Sequence, residues 1–244
     1  MIARRAIRLH RGGRRRAWRE HGLITDIDVW KFIHILLFVY WLGADLGVFL
    51  LVKAARRSDL TFDQRALSLR MAMKIDILPR LSFALMFPVG LELSAALGLV
   101  EPGLATRAIS WAVSALWVAI VIGMVRADGK PGAAALRHAN VLLHWALFVA
   151  VGAIGVTSVL GRGPFPPGWL GWKILLFALI FFCGIMIDRR FEPVAPAFAR
   201  LAAEGSRPDI EQIIKDAIDR SIAWVLTLYA LVVVIAFLGT ARPF

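Results

Sequence analysis

The sequence predicts an all-α bundle that crosses a bilayer about six times, and three observations predict it. Of its 244 residues 59% are hydrophobic, with a mean hydropathy of +0.70, whereas soluble domains sit near about 45–50% apolar. The apolar residues gather in six continuous runs, each close to the roughly twenty residues that a helix needs to cross a hydrocarbon core of about 30 Å. Charged and turn-forming residues fall between the runs, and no run alternates as a barrel strand does.

Residues 1–28 form an Arg-rich tail without an apolar stretch of the kind that marks a secretory signal, and residues 29–244 read as one transmembrane domain. The first span, 29–52, holds "WKFIHILLFVYWLGADLGVF" and leads into a charged link at 53–74. The second, 75–99, contains Pro79 and Pro88 and stops at a turn around Glu101-Pro102-Gly103. The third, 108–125, gives way to the polar link Arg126-Ala127-Asp128-Gly129-Lys130, and the fourth, 139–160, to the tight connector "GRGPFPPG". After the fifth, 169–187, a longer link at 188–219 includes "RPDIEQIIKDAIDR", which reads as a short interfacial amphipathic helix started by Pro208 and Asp209. The sixth span is 220–239. Trp30, Tyr40, Trp111, Trp169 and Trp172 stand near run ends, where aromatic residues anchor a span at the interface.

Let side A be the face where the first span begins and side B the other. The side-B links carry fifteen Lys or Arg, against Arg107, Arg162 and Arg242 on side A. The positive-inside rule then makes side B cytoplasmic, and the expected location is a bacterial inner membrane crossed several times. Eight arginines of the N-terminal tail, from Arg4 to Arg19, pull the other way. The net charge of +12 is spread over the tail and links rather than a module clear of the membrane, so lipid head groups are the expected partner and nucleic acid is not. A single cysteine, Cys183, excludes a disulfide framework and any cysteine-held metal cluster. HExxH, CxxC, P-loop, GxGxxG and GxSxG patterns do not occur.

An ionisable group inside a bilayer costs roughly 2.5–3.5 kcal/mol on insertion scales, so each one needs a partner or a task. His34 and Asp45 are eleven residues apart, nearly three helical turns, and share one face of the first span with Trp41 between them. Gly43 and Gly47 flank Asp45 in a GxxxG spacing that admits another backbone or a flat ligand. Counting rise from each end gives two polar layers: His34 with Glu92 near side A, and Asp45, Arg80 and His144 near side B, with Asp76 a turn closer to that surface. The expected pairing is an Asp45–Arg80 ion pair joining spans 1 and 2. For Glu92 the bland reading is a neutral carboxylic acid hydrogen-bonded between helices. Lys173 lies early in the fifth span, near side A.

Buried histidines on facing helices are the usual ligands of haem b. His34 and His144 fall in opposite leaflets here, so one haem cannot take both as axial ligands, and His34 alone is the candidate for haem iron. The stretch "WKFIHILLFVYWLGADLGVFLLVKAARRSD" resembles the first helix of the HemJ-type protoporphyrinogen oxidase and CopD-like membrane proteins, with His34, then Trp41 seven residues on, a small glycine-containing turn and a basic patch. "GWLGWKILLFALIFF" is similar to the family's later helix with a functional lysine. The resemblance covers about 45 residues in spans 1 and 5 and implies haem b held by His34 beside Trp41. In it Lys173 serves as a second ligand, a propionate partner or a proton donor. Two further readings stand beside haem-based redox or porphyrin chemistry. One is a non-catalytic accessory or assembly subunit of a larger membrane complex. The other is a small transporter coupling protons through Asp45 and Glu92.

Overall fold

Thr25 opens the first helix, α1 (Asp26–Ala55), of the computed structural model, which describes residues 24–127, 130–166 and 168–243. The Thr25 hydroxyl accepts from the Asp28 N–H, and the Asp28 carboxylate accepts from the Thr25 N–H at 3.1 Å, so the helix begins with a reciprocal cap. Thr61 and Gln64 repeat the device at the start of α2 (Phe62–Ile75). The charged link expected at 53–74 is therefore largely helical. Next come α3 (Ile77–Ala96) and α4 (Leu104–Arg126). Pro79 lies in the first turn of α3, where a missing N–H costs nothing, and Pro88 lies inside it. The helix ends at Gly98, whose φ of +69° lets the Leu99 N–H turn back to the Ser94 carbonyl at 2.9 Å.

The remaining helices are α5 (Ala133–Val159), α6 (Trp169–Phe191), α7 (Val194–Glu204) and α8 (Pro208–Ala241). No strand occurs among the described residues, and six helical stretches are long and apolar enough to cross a membrane. The protein is a multi-pass, all-α membrane bundle. One boundary differs from expectation. Pro208 does start a helix, but that helix runs unbroken for 34 residues into the last span instead of lying as a separate piece in the link at 188–219. No proline or glycine interrupts the chain between Asp209 and Leu238, and Ile210, Ile214, Ala217 and Ile218 bury one continuous stripe. At 1.5 Å per residue α8 is about 50 Å long, more than a hydrocarbon core of about 30 Å can contain.

Neighbour packing runs α1–α3–α4–α5–α6–α8 and back to α1, a closed ring of six spans. The α5–α6 seam is the tightest: a Cβ added at Gly155 would stand 2.6 Å from the Leu175 Cα. Across the ring runs an aromatic plug. Trp41 stacks on Phe83 at 4.7 Å, Phe83 meets Trp117 at 4.9 Å, and Trp117 meets the His144 ring at 5.0 Å. On side B, α2, α7 and the first turns of α8 pack Phe198, Leu201, Ile210, Ile214 and Ile218 into a smaller core of their own. Gly43 and Gly47 have no described residue within 4 Å of where a Cβ would be, so neither glycine of the GxxxG pair is packed against a described helix.

Candidate functional site

The plug divides the ring into two chambers, and Trp41 and Ile180 line both. The side-A chamber has a volume of about 560 Å³. Helix α1 gives it Lys31, His34 and Phe38, α3 gives Phe87 and Gly90, α6 gives Trp169, Lys173 and Phe177, and α8 gives Gly239, with Arg242 just beyond its end. His34, Trp41 and Lys173, singled out from two separate spans, thus come together around one space. Glycines make room for two of them. A Cβ on Gly90 would approach His34 Cε1 to 3.3 Å, and one on Gly239 would come within 2.5 Å of Lys173 Nζ. The Arg242 guanidinium lies over the Trp169 ring at 5.7 Å. Trp169, expected only as an interfacial anchor, is also part of the chamber wall.

Three features define this chamber chemically. Among the described residues Lys31, Lys173 and Arg242 line it and no carboxylate does, so its field favours an anion. The rest of its wall is mostly apolar and aromatic. His34 Nδ1 is buried with no hydrogen-bond partner, an omission that costs about 1–3 kcal/mol. Pockets of roughly 300–1,000 Å³ with apolar walls and a few convergent polar groups are the usual shape of a cofactor site.

Glu92 does not belong to the layer assigned to it. It is turned away from His34 toward α4, where it pairs with Arg107 at 3.0 Å and accepts from Trp111 Nε1 at 3.3 Å. Helix α4 begins at Leu104, four residues before the expected start, which puts Arg107 in its first turn and within reach. The neutral, hydrogen-bonded acid expected there is a charge-paired one.

The side-B chamber is smaller, about 150 Å³, and of opposite character. Asp45, Arg80 and His144 line it together, at one depth as the helical rise implied, and Asp76, Asp188 and Asn140 join them. The expected Asp45–Arg80 ion pair is absent. Arg80 Nε donates instead to Asp76 at 2.5 Å, and its Nη2 donates to Asp188 at 3.1 Å. Asp76 is one helical turn before Arg80, so it claims the guanidinium at little entropic cost. Asp188 lies one residue past the expected end of the fifth span at 187, and α6 continues to Phe191. Asp45 lies beside the Tyr229 hydroxyl of α8, just outside hydrogen-bond geometry, and that hydroxyl has no other partner. His144 is 5% exposed, and its Nδ1 faces the Asn140 carbonyl one turn back without meeting hydrogen-bond geometry. Asn140 Oδ1 is taken by Trp117 Nε1 at 3.2 Å. The other histidine at this end, His138, is exposed and bonded to its own helix at Ala134. His10, His21 and the tail arginines lie outside the described residues.

Comparison with protein-family models, with curated proteins and with solved structures finds no match to this chain.

Proposed function

We propose that this membrane bundle binds haem b in its side-A chamber, with His34 as the axial ligand to iron, and uses it for redox or porphyrin chemistry. The observation that carries the reading is the buried His34 nitrogen that has no partner among the described residues, beside a 560 Å³ apolar chamber that these residues line with three cations and no acid. A porphyrin has a flat apolar body and two anionic propionates, and the walls supply a counterpart to each. Trp41 and Phe177 offer aromatic surface. Lys31, Lys173 and Arg242 offer charge for carboxylates. Glycine at 90 keeps the His34 imidazole free of crowding, which an alanine would remove. When bound, haem supplies a one-electron centre whose potential the protein tunes through its axial ligand and the surrounding polarity. Lys173 is the second residue we assign, as propionate partner or proton donor. The resemblance of spans 1 and 5 to the HemJ-type and CopD-like proteins points the same way. On the link charges, the chamber opens toward the periplasmic half of a bacterial inner membrane.

The absorption spectrum of protein purified from haem-replete cells tests this. A Soret band with redox-sensitive α and β bands is expected, at about one haem per chain by pyridine haemochrome. His34→Ala should abolish haem retention. Its elution as a folded bundle should not change, since the buried Nδ1 has no hydrogen bond to a described residue to lose. A colourless wild-type protein, or haem retained by His34→Ala, would sink the reading. One observation favours the accessory-subunit alternative: α1 buries only Trp41 and Ala55 and leaves its Gly43–Gly47 face uncovered. A colourless protein that co-purifies with a second membrane protein through α1 would support it.

A further inference from the structure

We infer that the side-B chamber is a proton-binding site in which the Asp45 carboxyl holds a proton that exchanges with water from side B. This site stands whatever fills the other chamber. Three carboxylates, Asp45, Asp76 and Asp188, share the space with one guanidinium, and Arg80 is committed to Asp76 and Asp188. Among the described residues no cation pairs with Asp45. An ionised Asp45 would leave an uncompensated negative charge well inside the bundle, whereas a protonated one needs only hydrogen-bonding neighbours.

Those neighbours are present and unoccupied. The Tyr229 hydroxyl of α8 lies next to Asp45 and has no partner. On α5, His144 lines the same chamber, is 95% buried and carries an unpartnered Nδ1. Arg80 and Asp76 face the space from the start of α3 and the residue before it, and Asp188 faces it from α6. A fully structural polar core would have used such groups on one another. The chamber volume of about 150 Å³ accommodates several waters, each occupying roughly 30 Å³ in the liquid, and these can link the unpaired groups.

Exposure grades along the chamber. The Arg80 and Asp188 side chains are 31% and 32% exposed and form a mouth, while His144 at the inner end is closed off by the aromatic plug. A proton passes from water at that mouth to a carboxylate oxygen of Asp45, turning it into a carboxylic acid, and leaves the same way. No electron moves. Trp41 and Phe83 keep this exchange from continuing into the side-A chamber.

Infrared spectroscopy of the full chain in lipid nanodiscs reads the acid directly through its C=O stretch. The expected result is a pH-dependent carboxylic acid band in wild-type protein that shifts on transfer to D2O. It should vanish in Asp45→Asn and persist at an altered frequency in Asp45→Glu. Asparagine is nearly isosteric, so the bundle should elute unchanged. Should it fail to assemble, the Asp45→Glu frequency shift alone decides. The inference is overturned by a wild-type spectrum without such a band, by a band indifferent to Asp45→Asn or Asp45→Glu, or by one that does not exchange with D2O.

Discussion

Arg65 and Asp45 stand on the same side of the bundle, and the chain treats them in opposite ways. Arg65, 2% exposed in the side-B cap, has a hydrogen-bond partner for each guanidinium nitrogen. Nε donates to the Ala55 carbonyl at 2.9 Å, Nη1 and Nη2 donate to the two Glu211 oxygens at 2.8 and 2.9 Å, and Phe198 lies under the charge at 5.6 Å. Among the described residues Asp45 has no cation, and Tyr229, His144 and, at the far end, His34 each leave a buried polar atom without a partner. A sequence that can satisfy a buried arginine this completely is able to pair its charges. Leaving four groups unmet inside a membrane, where each costs more than in the cap, is then a mark of sites rather than of poor packing.

Truncating Arg65 undoes the satisfied half of this pair. Arg65→Ala strands a part-buried Glu211 and the Ala55 carbonyl, and should cost about 3–5 kcal/mol, the usual penalty for removing half of a buried pair. Thermal unfolding of the detergent-solubilised protein measures it. Arg65→Met combined with Glu211→Gln should recover much of the loss. If Arg65→Ala melts within a degree or two of wild type, the cap is not the lock described here and the contrast with the chambers collapses.

The contrast sharpens at two glycines. Gly155→Ala places a methyl 2.6 Å from the Leu175 backbone in a seam with no slack, so α5 and α6 must part, at about 1–3 kcal/mol. Gly90→Ala meets only the end of the His34 side chain at 3.3 Å, and the imidazole can move into open space. It should melt near wild type while weakening haem retention. Equal melting losses at the two positions would show that the side-A chamber is as rigidly packed as the seam.

How far these regions were legible in the sequence follows from the reach of the groups involved. Periodicity and helical rise are properties of one helix, so the six spans, the shared face of His34, Trp41 and Asp45, and the common depth of Asp45, Arg80 and His144 could all be read from residue numbers. Pairing is decided between helices and by competition. Depth put Arg80 level with Asp45, but Asp76 sits one turn away on the same stretch of chain and Asp188 arrives from a helix end misjudged by four residues. Glu92 failed for the same reason, through the early start of α4 that brings Arg107 down to it. Arg65 was invisible as anything but link charge, because its partner lies 146 residues away on a helix not expected to continue. Gln64 after Thr61, a capping box at the head of α2, was the local signal that residues 62–75 fold rather than connect.

The smallest effect belongs to a pair that resembles the Arg65 lock on paper. Arg57 forks onto Asp59 at 3.0 and 2.5 Å between α1 and α2, with both side chains more than half exposed. The Arg57 hydrogen bonds hold the Asp59 carboxyl below its ordinary range. A carboxyl depressed on folding stabilises above its unfolded pKa, near about 3.9, and that contribution fades as pH falls through the folded value. Water and salt already satisfy both partners when they separate, so little is at stake. Asp59→Asn should therefore leave the melting temperature unchanged from pH 5 to 8, at low salt and high. Both arginines fork onto a carboxylate, Arg57 through Nε and Nη2 and Arg65 through Nη1 and Nη2, but Arg65 is buried and adds an Nε bond to the Ala55 carbonyl. A measurable loss in Asp59→Asn would mean that bidentate contact itself, rather than the absence of solvent, gives the Arg65 lock its strength. The unmet groups of the two chambers would then have to be weighed by geometry as well.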